Sequence, residues 1–289
     1  MSVRAWTAFA AVSTLWGIPY LFIKVAVDDG VPPAFLAWTR VWLGAAVLLA
    51  LAHRAGVLGS VRGRLRWLAI FAVVEISIPF PLIAAGEQHV SSSLAAILIA
   101  SVPLIVAVLA VRFEPGERAT GSRLAGLLIG FAGVVALVGL DVAGRTDELL
   151  GALAILVAAV GYAVGPMVLK RHAVDLDPRA AMGVSLAIAG VILTPFAAAD
   201  PPTVTPTPEA LAALAILGFA CTAAAFVFYY AMIGSGRRYL AHARAAWPVW
   251  VGTTRATAPV SAARSSAACM TASVVSNSSA GSAAPRSHR

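Results

Sequence analysis

Long apolar stretches separated by short polar ones run along most of the chain. Eight of them, at about 5–27, 34–53, 66–86, 91–111, 122–140, 149–169, 180–199 and 210–233, read as membrane-spanning helices. A helix needs about 20 mostly apolar residues to cross a hydrocarbon core roughly 30 Å thick. Barrel strands are shorter and alternate polar with apolar positions, a pattern these stretches lack. The first stretch contains Trp16, Pro19 and Lys24 and is followed by no small-residue cleavage site, so it reads as a retained helix rather than a signal peptide. The pattern predicts an all-α polytopic membrane protein.

Composition agrees. Of 289 residues, 60% are hydrophobic and only 12% charged, against about 25% charged in soluble domains. The net charge of +8 would fit nucleic acid until the charges are located. With a cytoplasmic N-terminus, the inner loops hold Arg4, Arg54, Arg62, Arg64, Arg66, Arg112, Arg118, Arg123, Lys170, Arg171, Arg179, Arg237 and Arg238. The outer loops hold Arg145 as their one basic residue, with Asp28, Asp29, Glu87, Asp141, Asp147, Glu148, Asp200 and Glu209. That asymmetry is an orientation signal, and no nucleic-acid partner is expected.

The chain also resembles itself at a spacing of 146 residues: the stretch from Trp16 through Pro19 and Tyr20 to Lys24 lines up with that from Tyr162 through Pro166 to Lys170. In both, an aromatic and a small residue precede a proline, and a lysine follows eight residues after the aromatic. Five spans lie in each offset, so the second copy enters the bilayer from the opposite side. Inverted repeats of this kind recur in secondary transporters, around a site near the midplane. Two apolar helices that merely end in snorkelling lysines would look similar.

Further stretches carry a resemblance. Trp16-Gly17 is followed by Lys24, and Arg40 opens the second apolar run. Ser91-Ser92-Ser93-Leu94-Ala95-Ala96-Ile97-Leu98 leads to Ser101-Val102-Pro103-Leu104, then Gly116-Glu117-Arg118 and Gly126 through Val134. In this order and spacing, residues 5–235 resemble the EamA-type branch of the drug/metabolite transporter superfamily. The resemblance implies an inverted-repeat bundle of ten helices, five plus five, with a central cavity through which small metabolites cross the bacterial inner membrane.

On that pattern, residues 1–140 form the first five-helix repeat and 148–235 an incomplete second repeat of three helices, making eight spans of the expected ten. Residues 236–289 hold 14 Ala, 9 Ser and 7 Arg, one Leu and no acidic residue. This tail, expected to be disordered, reads as text that has left its frame near Gly234–Arg238. The alternative is a genuine basic tail drawn to anionic lipid.

Seven residues are candidates for lining the cavity: Trp16, Tyr20, Lys24, Glu75, Ser101, Pro103 and Tyr162. Glu75 stands mid-span among Val73, Val74, Ile76 and Ile78, where a charge costs about 2.5–3.5 kcal/mol on insertion scales. It is expected to bind a cationic substrate, to carry a coupling proton, or to form a structural pair with Arg40 or Lys24. Trp16 and Tyr20, at i and i+4, share a helix face, and Tyr162 is the repeat partner of Trp16. Such aromatics can hold apolar or cationic metabolites by stacking and cation–π contact. Lys24 either snorkels or holds an anionic group.

Prolines 79, 81, 103, 166 and 195 are expected to interrupt helices, each freeing a carbonyl one turn earlier. Pro103 with Ser101 is the best placed to border a cavity. Gly126, Gly130 and Gly133 form a small-residue face for close packing, within the chain or in a homodimer. Cys221, Cys269 and the scattered histidines show no disulfide, metal or catalytic spacing, and no phosphate-binding loop is present. No enzyme activity, cofactor or metal is expected. The expected function is secondary transport of small organic metabolites such as amino acids or amines, by alternating access; the export direction is what the family resemblance implies. The alternative is a non-transporting membrane protein lacking its last two helices.

Overall fold

A computed structural model describes residues 3–113, 145–173 and 175–228, with scattered positions between 125 and 136. The expected fifth span, Tyr229, Tyr230 and the tail lie largely or wholly outside the described residues. Among those described, seven helices are long and apolar enough to cross a membrane: α1 (Ala10–Asp28), α2 (Pro33–Arg54), α3 (Leu65–Glu87), α4 (Ser92–Leu109), α5 (Thr146–His172), α6 (Pro178–Ala199) and α7 (Pro208–Phe228). The described residues contain no strand. In lipid every backbone polar group must be satisfied within the segment, and helices achieve that locally.

The helix starts are written in the sequence. Pro33, Pro178 and Pro208 occupy first-turn positions, where a missing N–H costs nothing. Ser91, Asp177 and Thr207 cap α4, α6 and α7 by accepting from the N–H of Leu94, Arg179 and Ala210. Gly30, at φ 85°, turns the chain between α1 and α2, a conformation that favours glycine. At this end Asp29 Oδ2 accepts from Thr207 N at 2.9 Å, tying the α1–α2 turn to the α6–α7 loop. At the other end Arg64 donates to the His172 carbonyl and pairs with Asp175 at 3.3 Å, while Trp67 stacks on His172.

Asp177 also holds Arg179 through Nε at 3.1 Å and Nη2 at 3.0 Å. The hydrogen-bonded guanidinium keeps the Asp177 carboxyl below its ordinary value of 3.8. A depressed carboxylate contributes stability above its unfolded value and loses it as pH falls through the folded one. Asp177→Ala is therefore expected to cost about 0.5–1 kcal/mol near neutral pH, the low end for a lost cap because the pair is partly solvated. Thermal unfolding of the two proteins should converge as pH drops below 3.8.

The proline expectations are met only in part. Helix α1 breaks at Ile18 before Pro19, which is not among the expected interruptions, leaving the helical segments Val3–Gly17 and Pro19–Asp28. Helix α3 opens into a π-helical stretch, Ala72–Ser77, before Pro79, and α4 breaks between Ile99 and Val102, before Pro103. Pro166 and Pro195, in contrast, lie inside unbroken helices. A single absent hydrogen bond is tolerated there because the surrounding ladder and neighbouring helices hold the backbone. Helix α7 has its own π stretch, Ile216–Ala224, with no proline to announce it.

The interior is a set of interlocking apolar clusters. Ile23, Val31, Leu36, Ile83, Ala158 and Leu217 join α1, α2, α3, α5 and α7. Val41, Leu48, Phe71, Ile76, Leu186 and Leu193 join α2, α3 and α6. Leu94, Leu98 and Ile155 hold α4 to α5. Val108, Val191 and Phe196 are exposed, as lipid-facing positions of a membrane bundle are. Of the expected small-residue face, Gly130 would place a Cβ 3.3 Å from Leu104 Cδ2, whereas Gly126 and Gly133 face open space.

Candidate functional site

Helices α1, α2, α3, α5 and α7 converge on one polar and aromatic cluster inside the bundle. Its centre is Arg40, on α2 and only 7% exposed. The Arg40 Nε–H donates to Thr222 Oγ1 at 2.9 Å, and the guanidinium carbon lies 4.2 Å above the Phe80 ring. Thr222 is positioned by the π stretch of α7, donating its own hydroxyl proton to the Leu217 carbonyl at 2.8 Å. Tyr20, Tyr162, Glu87 and Cys221 all lie within electrostatic reach of Arg40.

Glu75 occupies the π stretch of α3. Its Oε2 is buried without a hydrogen-bond partner, and the carboxylate packs against Gly165, where a Cβ would collide with it. Neither expected partner is engaged with it: Arg40 is held by Thr222 and Phe80. Lys24 is held by Asp28 Oδ1 at 2.9 Å and by the Glu87 carbonyl at 2.8 Å. Pro166 deprives the Tyr162 carbonyl of its usual donor, while ahead of Pro79 the π winding carries the bond from Ile78 N back five residues to the Val73 carbonyl.

Two aromatic pairs join the halves of the chain. Trp16 meets Phe226 edge to face with ring centroids 5.8 Å apart, and Tyr162 meets Phe80 edge to face at 6.5 Å. Tyr162 follows Trp16 by 146 residues, and Phe226 follows Phe80 by the same interval. Both halves also hold a π stretch with a similar side-chain bond, one residue out of that register: Ser77 donates to the Ala72 carbonyl as Thr222 does to Leu217, each five residues back.

The sequence candidates are distributed unevenly. Tyr20 and Tyr162 belong to the cluster around Arg40, and Glu75 adjoins it through Tyr162. Trp16 enters through its contact with Phe226, but the break at Ile18 separates it from Tyr20, so the two do not share one continuous helix face. Lys24 is turned to the α1–α2 end. The Ser101 hydroxyl donates to the Leu98 carbonyl at 2.5 Å, and Pro103 is exposed, so both serve the break in α4. Glu87, read as an outer-loop acid, is instead the last residue of α3, completely buried and with both carboxylate oxygens unpartnered.

Comparison with known proteins identifies the family and the fold. The profile of the EamA-like transporter family matches residues 4–139 and 149–241. Protein PagO of Salmonella typhimurium is 34% identical over 42% of this chain and 40% of its own length. The uncharacterized inner membrane transporter YedA of Escherichia coli K12 is 28% identical over 64% of this chain and 59% of its own. An uncharacterized transporter of Archaeoglobus fulgidus is 26% identical over 80% of both chains. The chain spans about half the length of the first of these curated relatives. A solved crystal structure shares the fold, with TM-score 0.59 and 24% identity over 79% of this chain and 78% of its own. Matched to one profile over most of its length, and folded as an apolar helical bundle, the chain belongs to the EamA-like transporter family and is a multi-pass membrane protein.

Proposed function

We propose that the chain is a secondary carrier in the bacterial inner membrane, moving small organic metabolites such as amino acids or amines outward by alternating access. The observation that carries this reading is the cluster of Arg40, Glu75, Tyr20, Tyr162 and Phe80 inside a lipid-facing bundle. Ionisable groups at such depth are costly, and where they persist they mark a substrate or ion pathway. The inverted-repeat reading is supported by the paired contacts Trp16–Phe226 and Tyr162–Phe80. Two halves built alike and joined through matched contacts can rock against each other about a site between them. The inner-membrane location and the transport role follow the relatives named transporters.

Within this reading Glu75 carries the coupling proton or holds a cationic group, and the aromatics Trp16, Tyr20 and Tyr162 line the path. The test is counterflow in proteoliposomes containing the full chain, against a panel of labelled amino acids and amines. Saturable accumulation of at least one compound above protein-free vesicles is expected. Folded protein that moves none of the panel would overturn the proposal and favour the non-transporting alternative.

A further inference from the structure

We propose that the Arg40 guanidinium is a binding site for the carboxylate of a small organic anion or zwitterion with an apolar body. The two groups that fix the guanidinium are both uncharged. Thr222 Oγ1 takes the Nε–H, and the Phe80 ring covers one face. Among the described residues no carboxylate lies within ion-pair distance of Arg40. Glu75 packs on Gly165 and Asp28 pairs with Lys24, while Glu87, whose charge reaches Arg40, makes no hydrogen bond to it.

An arginine cannot shed its proton in a protein, so this charge is permanent. With Nε engaged by the threonine, the two terminal nitrogens carry no hydrogen bond to another described residue. That edge presents parallel N–H groups matched to the two oxygens of a carboxylate, the pairing that makes arginine the preferred partner of planar anions. Phe80, Tyr20 and Tyr162 supply apolar walls for the rest of the molecule. The site also bridges the helices that would have to move. Arg40 stands on α2, Phe80 on α3 and Thr222 on α7, so a bound anion is felt by both halves.

This deepens the carrier reading and rests on it for the ligand's role as substrate; binding itself can be tested apart from transport. The full chain in phosphatidylcholine nanodiscs would be titrated with phenylacetate and with its neutral isostere phenylacetamide, following thermal stabilisation. Phenylacetate is expected to stabilise saturably and phenylacetamide to do so at least about tenfold more weakly, since the charge-assisted fork is lost. Arg40→Lys should weaken phenylacetate about tenfold by replacing the fork with a point charge. Thr222→Ala, which leaves the charge but frees Nε, should weaken it less and serves if the Arg40 variants fail to fold.

Equal binding of acid and amide, or acid binding unchanged in both variants, would overturn the site. So would displacement of phenylacetate by added phosphatidylglycerol, which would assign the charge to a lipid headgroup. Counterflow of the same acid separates the two readings. Binding without movement sinks the carrier and leaves the site, while movement of other metabolites without acid binding sinks the site alone.

Discussion

Replacing Gly86 by valine is expected to remove most of the folded protein from the membrane. Gly86 on α3 and Gly151 on α5 meet backbone to backbone. A Cβ on Gly86 would lie 2.7 Å from the Gly151 carbonyl oxygen and 2.6 Å from Ile155 Cγ1, and one on Gly151 would lie 2.9 Å from the Gly86 carbonyl oxygen. A flexible side chain can swing away from an intruding methyl, but a carbonyl held in a helix cannot. Small residues let membrane helices approach this closely, and dispersion then holds them, because lipid offers no hydrophobic drive for helix association. Alanine alone should cost about 1–3 kcal/mol by overpacking, and valine more. Gly17→Ala is the control: a Cβ there meets nothing within 4 Å, and a change within about 0.5 kcal/mol is expected. Monodispersity after detergent extraction and the thermal unfolding midpoint would check both. A Gly86→Val protein as stable as the parent would mean that α3 and α5 do not cross at these glycines.

The spans were legible because the bilayer imposes one rule on every residue inside it. Seven expected stretches fall within a few residues of the described helices, and the starts at Pro33, Pro178 and Pro208 are visible by eye. Hydropathy is blind to how a helix is wound, however. Ala72–Ser77 and Ile216–Ala224 are as apolar in a π winding as they would be in an α winding. The prolines misled for a related reason: the residue shows that a hydrogen bond is absent, not whether the neighbours tolerate the gap. Pro19 marks a break while Pro166 does not, and that difference lies in the packing.

The site was half visible. Glu75 stood out because charge is rare in lipid, and Trp16 and Tyr162 because their surroundings repeat. Phe80 and Phe226 went unseen because phenylalanine is common in any apolar run. Their significance lies in the interval of 146 residues between them, which extending the repeat from the first helix of each half to the third would have found. In the sequence Arg40 reads as a family mark and as a counter-ion for Glu75. The sequence cannot tell which of several intramembrane charges meet, and here these two do not pair. Glu87 reads as a loop acid because the end of a helix and the beginning of a loop look alike when the residue is polar.

Glu75→Gln is expected to abolish accumulation driven by a pH gradient while leaving counterflow exchange measurable. Glutamine keeps the shape of the carboxylic acid and fixes the neutral state, so it fits against Gly165 but cannot give up a proton. If Glu75 carries the coupling proton, a carrier locked neutral still exchanges substrate for substrate, yet cannot convert a proton gradient into uphill movement. If Glu75 instead holds a cationic group, exchange falls as well, by about tenfold or more for one charge-assisted hydrogen bond worth ~1.5–3 kcal/mol. The ratio of driven accumulation to exchange therefore separates the two roles. Gly165→Ala is an independent probe, since its added Cβ collides with the carboxylate and displaces it without changing its charge. A proton role predicts that Gly165→Ala shifts the pH profile of driven transport, whereas Glu75→Gln flattens it. Full, pH-independent transport in Glu75→Gln would remove the residue from the mechanism. The buried Glu75 side chain would then be part of the scaffold.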